Sequence, residues 1–357
     1  MRCIDSGFRL LLCKGETQTM NVVKRIWRTY GLIRKLSALN SSSVSGTLLD
    51  RALYNSETLP PLGKEYWWFL FFGQNGERPV QLMLLIFRKY GRKMLFNDRE
   101  MLLKTLGKNK FQAITAGWVY DGKRFLDLGD TNAVVEIQEK TIFSEISGQR
   151  MILSGGFPDY KLRVGDIIDL SIKRSNYLEN KDACGVFIPP FGVGWVDIFS
   201  DVNGIVFGTK FKGTSHLQKV VGVTIFGPFH WGRIIFKNDS VAQFFCLKTG
   251  KNSKTYFHKS LTFYDQENNE IIEFNNPRLR ISKSDTLWAV EGEDHDKTFS
   301  TILETYAVKH FTMKGEGSQV YVEYAVIPKK FYLKTKDRVI TLEDLGGGVG
   351  TFEDAYW

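Results

Sequence analysis

The sequence predicts an all-β protein: two consecutive antiparallel β-barrel units of similar plan, preceded by one amphipathic helix. Three observations predict it. From residue 61 onward apolar and polar residues alternate with period 2 in run after run, the pattern of strands packed in sheets. Turn signals such as Asn75-Gly76 and Asp121-Gly122 separate the runs at short spacing. The second half of the chain then repeats the order of features seen in the first.

Residues 1–60 form the predicted N-terminal segment. Residues 1–19 carry little pattern, so Met20 competes with Met1 as the start. Between Asn21 and Leu39, Val23, Ile26, Trp27, Tyr30, Ile33 and Leu36 fall on one helical face, with Lys24, Arg25, Arg28, Arg34 and Lys35 around the rest. Two readings fit this helix. It docks on the body of the protein with a solvated basic face, or it lies on an anionic membrane surface with Trp27 and Tyr30 at headgroup level. Residues 40–60 read as a linker containing a short helical turn.

The strands follow. "YWWFLFFG" and "VQLMLLIFRK" flank the Asn-Gly signal as a hairpin, and "FQAITAGWVY", "AVVEIQ", "RMILSGG", "DIIDLSIKR", "VGWVDIF" and "GIVFGTKF" continue the sheet. Only "NDREMLLKTL", Asn97 to Leu106, reads as a helix within this part. The second half opens at His230-Trp231 with a strand, an Asn-Asp turn and another strand. Trp68 and Trp231 mark the two openings, and Gly192-Val193-Gly194 and Gly348-Val349-Gly350 mark the two ends at nearly the same separation. The expected units are 61–215 and 216–357.

Composition narrows the function classes. With 43% hydrophobic and 24% charged residues in a chain of 357, the protein is globular rather than disordered. The net charge of +9 favours anionic partners. The basic residues are interleaved with acidic ones and no RNA-binding aromatic pattern occurs, so no specific nucleic-acid partner is expected. Four separated cysteines without a CxxC pair indicate a reducing compartment. No apolar run reaches the roughly 20 residues of a spanning helix, so a cytoplasmic protein with at most a peripheral membrane contact is expected. The five histidines lack metal-ligand spacing, and there is no HExxH, P-loop or GxSxG motif; no metal and no cofactor are expected.

The aromatic strand Glu65-Tyr66-Trp67-Trp68-Phe69 and the later His230-Trp231-Gly232 resemble the lipocalin-like family of carotenoid 1,2-hydratase (hydroxyneurosporene synthase) and related cyclases. The resemblance covers residues 61–357 in outline and departs from the family at Gly227-Pro228-Phe229, where relatives often carry a tyrosine and an acidic residue. It implies two lipocalin- or calycin-like barrels with a ligand cavity in or between them, and a hydro-lyase that adds water to a terminal alkene of an apolar isoprenoid. A carrier of an apolar ligand without chemistry is the other class.

Hydration of an isolated alkene needs an acid that stays protonated, aromatic faces around the resulting cation, and a controlled water. A buried carboxyl with a raised pKa is the natural acid. The catalytic candidates are His230, which would orient a water or a carboxyl, Asp197, which shares a strand face with Trp195 and Phe199, and Asp265, which follows Phe263-Tyr264. Trp67, Trp68, Trp195, Trp231 and Tyr264 are the candidate substrate walls. Plainer roles stand beside these: His230 as a structural histidine, Asp197 solvated, Asp265 a turn residue, and the tryptophans as core. Because adjacent strand residues face opposite ways, one of Trp67 and Trp68 belongs inside the first barrel and the other against its neighbour.

Overall fold

The computed structural model describes residues 23–24, 27, 30–31, 33, 46–75, 78–175, 183–188, 191–224, 227–250, 255–315 and 317–356. Most of the predicted N-terminal helix therefore lies outside the described residues. Those described within it are helical; Val23 and Trp27 are exposed and Ile33 is buried. Helix α1 (Gly46–Leu53) lies within the segment read as a linker with a short helical turn, and spans eight residues.

Fourteen strands follow: β1 (Gly63–Asn75), β2 (Arg78–Lys89), β3 (Lys93–Phe96), β4 (Arg99–Leu102), β5 (Thr105–Gly107), β6 (Lys110–Tyr120), β7 (Phe125–Gln138), β8 (Thr141–Ile146), β9 (Gln149–Gly156), β10 (Asp159–Val164), β11 (Ile168–Arg174), β12 (Ala183–Ile188), β13 (Phe191–Val206) and β14 (Thr209–Val223). Ten of them close a barrel in the order β11-β10-β9-β8-β7-β6-β2-β1-β14-β13, with β13 returning to β11. Closure leaves no free edge on this ring. The first barrel thus runs on to Val223, past residue 215.

The second sheet contains β15 (Phe229–Phe236), β16 (Val241–Lys248), β17 (Tyr256–Asp265), β18 (Glu270–Phe274), β19 (Arg278–Ser284), β20 (Leu287–Asp294), β21 (Lys297–Gly315), β22 (Gly317–Lys334), β23 (Val339–Thr341) and β24 (Gly348–Tyr356), with the short helix α2 (Leu342–Leu345) before the last strand. Its order is β18-β17-β16-β15-β24-β22-β21-β20-β19. The sheet curls around a core of its own that includes Phe244, Phe263, Phe299 and Phe352, and Leu345 of α2 joins this core.

The opening strands β1 and β15 hold corresponding places, each between the strand that follows it and the last strand of its sheet. The Gly-Val-Gly markers do not correspond. Gly192 lies on β13, the strand before the last, whereas Gly348 begins the last strand itself.

The run Asn97 to Leu106 is strand, not helix. Asn97 and Asp98 both take positive φ and turn β3 into β4. Met94, Phe96, Met101 and Leu103 alternate onto one buried face, and Asn132 holds the Leu102 N–H and C=O with its side-chain amide at 2.8 Å each. This hairpin leaves the first barrel and adds to β21 of the second sheet, with Phe96 against Phe311.

Along β1 the alternation sorts an aromatic-rich run. Trp67, Phe69 and Phe71 enter the first barrel's core. Trp68, Leu70 and Phe72 enter a second cluster that also contains Met83, Phe199, Tyr321 and Ala355, and so lies between the two sheets. Strands buried on both faces must be apolar on both, and this accounts for the density of aromatics there.

The open end of the first barrel is plugged by α1 and the segment after it. Leu49 and Leu53 join the core, and the Trp67 indole N–H donates to the Leu53 carbonyl at 2.8 Å. Beside it Glu65 is fully buried between Arg88 (2.6 Å) and Lys219 (2.9 Å). Arg88 also donates to the Glu57 carbonyl, and the Glu57 N–H donates to Glu65. Burial alone would raise the Glu65 carboxyl; the charges of Lys219 and Arg88 outweigh it and hold the group below the usual range. Replacing Glu65 by Ala leaves two cations buried without a counter-charge. The expected loss in denaturant unfolding is about 3–5 kcal/mol. Lys93→Ala, which breaks the exposed pair with Glu100, is expected to cost less than about 1 kcal/mol. Equal losses would show that the triad is not shielded from solvent.

Candidate active site between the two barrels

The layer between the barrels holds two carboxyl groups. Val322, Tyr324 and Phe352 point into the core of the second, curled sheet, so Glu323 and Glu353, one residue out of phase, point toward the first barrel. The register places them directly opposite each other on β22 and β24. Both are buried, Glu323 completely. Glu323 accepts the Trp118 indole N–H at 3.1 Å across the layer and the Thr351 hydroxyl at 3.5 Å. Burial pushes Glu323 up to about 8 against these two hydrogen bonds. Burial, reinforced by the Glu323 charge, pushes Glu353 well above the carboxylate range, against Tyr321 and Arg233. Two such groups cannot both ionise at neutral pH, and the pair retains a proton.

Aromatic side chains surround the pair. Trp68 meets Tyr321 edge-on at 5.4 Å, Phe229 lies 6.2 Å from Tyr321, and Trp118 lies 5.7 Å from Phe125. Tyr66 feels the Glu353 charge, although its own burial is the larger reason its hydroxyl is pushed up. Arg233 brings one cation into this layer. Its guanidinium lies 5.6 Å from the Trp231 ring and 5.9 Å from the Phe199 ring. Burial pushes it down to about 9, with Tyr264 and Glu353 acting the other way, so it stays charged at neutral pH. It contacts His216 Nδ1 and stands 3.8 Å from Asp197 Oδ2, while His216 Nδ1 lies 2.6 Å from Asp197 Oδ1. The layer is also short of partners: His216 Nε2, Trp68 Nε1 and Gln81 Nε2 are buried with no hydrogen-bond partner among the described residues.

The expected site residues divide. Trp68, Trp231 and Tyr264 belong to the interbarrel cluster, and Asp197 reaches it through His216 and Arg233. Trp195 shares Asp197's strand face and is half-buried. Trp67 is inside the first barrel and does not face this layer. His230 points the other way from Trp231, into the second barrel, where it meets Asp354 at 3.1 Å, Lys248 at 3.3 Å and the Tyr256 hydroxyl at 3.4 Å. Its burial lowers its pKa, and Asp354 opposes that. Neither Asp197 nor Asp265 is its carboxyl partner. Asp265 accepts the Asn268 N–H at 3.0 Å and pairs with Arg338 at 2.6 Å, a turn residue.

Glu323, Glu353, Trp118, Arg233 and His216 were not singled out from the sequence. A signal was present. "VYVEYAV" sets a carboxylate in mid-strand between apolar neighbours, and "GTFEDAY" sets Glu353 and Asp354 within an otherwise largely apolar strand. A protonated carboxyl against aromatic faces can donate a proton to an electron-rich carbon, and the carboxylate it leaves can take one from water.

Between pH 4.5 and about 8 the folded protein holds a proton on Glu323 that the unfolded chain has released. Stability therefore falls as pH rises through that window and levels off above it. Thermal unfolding across the window checks this, and Glu323→Gln should flatten part of the slope. A slope unchanged by the substitution would mean that Glu323 titrates normally.

No protein-family model matches the chain, and no curated protein matches it. Among solved structures, a candidate AttH from Nitrosomonas europaea is similar at 12% identity and a TM-score of 0.46, covering 82% of this chain and 91% of that one. CghA bound to Sch210972 is similar at 10% identity and 0.47, covering 90% and 95%. Kievitone hydratase from Nectria haematococca is similar at 10% identity and 0.44, covering 88% and 93%. None of these likenesses assigns an activity to the chain; its all-β barrel architecture stands on its own strand order.

Proposed function

We propose that the protein is an acid catalyst that adds water to an alkene of an apolar isoprenoid, an acyclic carotenoid or a compound of similar character. The observation that carries this reading is the Glu323–Glu353 pair, protonated at neutral pH in an aromatic layer. The resemblance of Glu65–Phe69 and His230–Gly232 to the hydratase family is the support for the substrate class.

The steps balance. Glu323, the group whose pKa lies nearer neutrality, gives its proton to the terminal alkene carbon. The π electrons form the new C–H bond and leave a tertiary cation. Aromatic faces such as Tyr66, Trp68 and Tyr321 stabilise that cation. Water attacks it, and the proton it sheds returns to the Glu323 carboxylate. Glu353, protonated and directly opposite, stabilises that carboxylate while it is charged. Arg233 and His216 orient the water or a polar group of the substrate. The proposed acid is thus Glu323 rather than Asp197 or Asp265, and His230 has no part in the proton transfer.

Incubation with acyclic carotenes and mass analysis for gain of water tests the reading. Glu323→Gln is expected to lower turnover about 10²–10⁴-fold, the range for a positioned acid, with the fold and ligand binding retained. Binding of the carotene by the wild-type protein without any gain of water would instead make it a carrier.

We further propose that the N-terminal segment collects such a substrate from an anionic membrane. Among the described residues no helix is long and apolar enough to cross a membrane, but Val23 and Trp27 stand exposed on the face that would enter an interface. Trp27→Ala should weaken binding to anionic liposomes while leaving the thermal transition unchanged; a lowered transition with liposome binding intact would make the helix a brace.

A further inference from the structure

The two barrels end differently on the side where β1 and β15 begin. In the first barrel three donors beside the plug find main-chain carbonyls, while the Tyr54 hydroxyl is buried without a partner among the described residues. The Trp67 indole N–H takes Leu53, Arg88 takes Glu57, and Lys219 takes Asn55. In the second barrel the corresponding end carries the same kinds of donor. Lys248 pairs with Asp354 at 2.5 Å beside His230. Trp288 sits next to them, 5.9 Å from the His230 ring, 5.2 Å from Tyr324 and stacked on Phe352 at 4.1 Å. Its side chain is 4% exposed, and its indole N–H has no acceptor among the described residues. A buried donor without a partner costs stability. Lys283 reaches over the same rings, 5.3 Å from Trp288 and 4.7 Å from Tyr324, with its ammonium 3.3 Å from the Tyr324 hydroxyl. Lys283 is exposed, so it stands where a ligand would enter.

We propose that this end of the second barrel binds an aromatic monocarboxylate, whose carboxylate accepts the Trp288 indole N–H and pairs with the Lys283 ammonium while its ring lies against Tyr324 and its aromatic neighbours. The charges favour a single negative charge. Asp354 pairs with Lys248, whereas Lys283 has no carboxylate partner among the described residues. The rings favour a flat body, since Trp288, Tyr324 and Phe352 pack on one another at 4.1 to 6.0 Å and form an aromatic cluster beneath Lys283. The first barrel shows the same chemistry satisfied internally, with Glu65 as the carboxylate between Arg88 and Lys219 and main-chain carbonyls completing their partners. The site is separate from the interbarrel layer. On β15 and β24 the side chains of His230 and Asp354 face this barrel, whereas those of Trp231 and Glu353 face the other way.

Titration calorimetry with cinnamate as the probe, and cinnamyl alcohol as its neutral counterpart, tests the proposal on the full chain. Cinnamate should bind, and the alcohol should bind about tenfold or more weakly, the range for losing a hydrogen bond to a charged group. Lys283→Met and Trp288→Phe should each weaken cinnamate to a similar extent. Glu323→Gln should leave it unchanged, so that failure here and failure of the acid-catalyst reading are told apart. Because Lys283 is exposed, its substitution decides the matter even if Trp288→Phe does not fold. No binding of cinnamate, equal binding of acid and alcohol, or indifference to Lys283→Met overturns the proposal. Loss of cinnamate binding in Glu323→Gln would also overturn it, by placing the ligand between the barrels.

Discussion

A carboxyl group shielded from bulk water costs less neutral than charged, and the layer between the two units is shielded because its walls are mostly apolar strand faces. Trp68, Leu70 and Phe72 of β1 form one wall with Met83 and Leu85 of β2; Tyr321, Ala325, Val349 and Ala355 form the other. The β3–β4 hairpin fastens the walls together by pairing with the sheet of the opposite barrel. Once the walls are closed, the proton on the Glu323–Glu353 pair follows from burial, and so does the value of a fixed cation, Arg233, beside it. The protonation of the pair is therefore a consequence of how the two units pack, and neither unit alone would confer it.

Burial by itself does not decide the state of a glutamate. Glu65 is as buried as Glu323, yet its pKa moves in the opposite direction. The difference lies in the company each keeps. Glu65 is clasped by two cations at 2.6 and 2.9 Å, and their attraction exceeds the desolvation cost. Glu323 receives only two neutral donors and faces another carboxyl. One site thus acts as a structural ion cluster that seats the plug of the first barrel, and the other is a reservoir for a proton.

The fold was legible in the sequence where the pattern is local. Period-2 alternation located most of the strands, and the split of Trp67 and Trp68 between two environments follows from alternation alone. Asn97 to Leu106 misled because its leucines satisfy a helical spacing as well as a strand one, and the choice was made by partners distant in sequence, Asn132 and Thr312. The Gly-Val-Gly match misled for a similar reason: glycines recur wherever two strands approach closely, on β13 as on β24. In the layer, Trp68, Trp231 and Tyr264 were legible as aromatic residue types. The acids were not, because what distinguishes Glu323 from an ordinary surface glutamate is that β24 sets Glu353 opposite to it, and register across some thirty residues is not written in either strand.

The same alternation explains why His230 was a reasonable candidate with a different outcome. His230 and Trp231 are adjacent, so they belong to different compartments, and a motif read as one unit is divided by the sheet. Glu353 and Asp354 are divided in the same way. Each dipeptide sends one side chain to the interbarrel layer and the other to the second barrel: Trp231 and Glu353 to one, His230 and Asp354 to the other. The register pairs them accordingly, Trp231 with Glu353 and His230 with Asp354. A sheet only one residue thick therefore separates a protonated carboxyl from an ionised one. Asp354 is held below the usual range by His230 and Lys248, against the effect of its burial, whereas Glu353 is pushed far above it. Two neighbouring acids on one strand are kept in opposite protonation states because the strand, by its pleat, delivers them to opposite solvents.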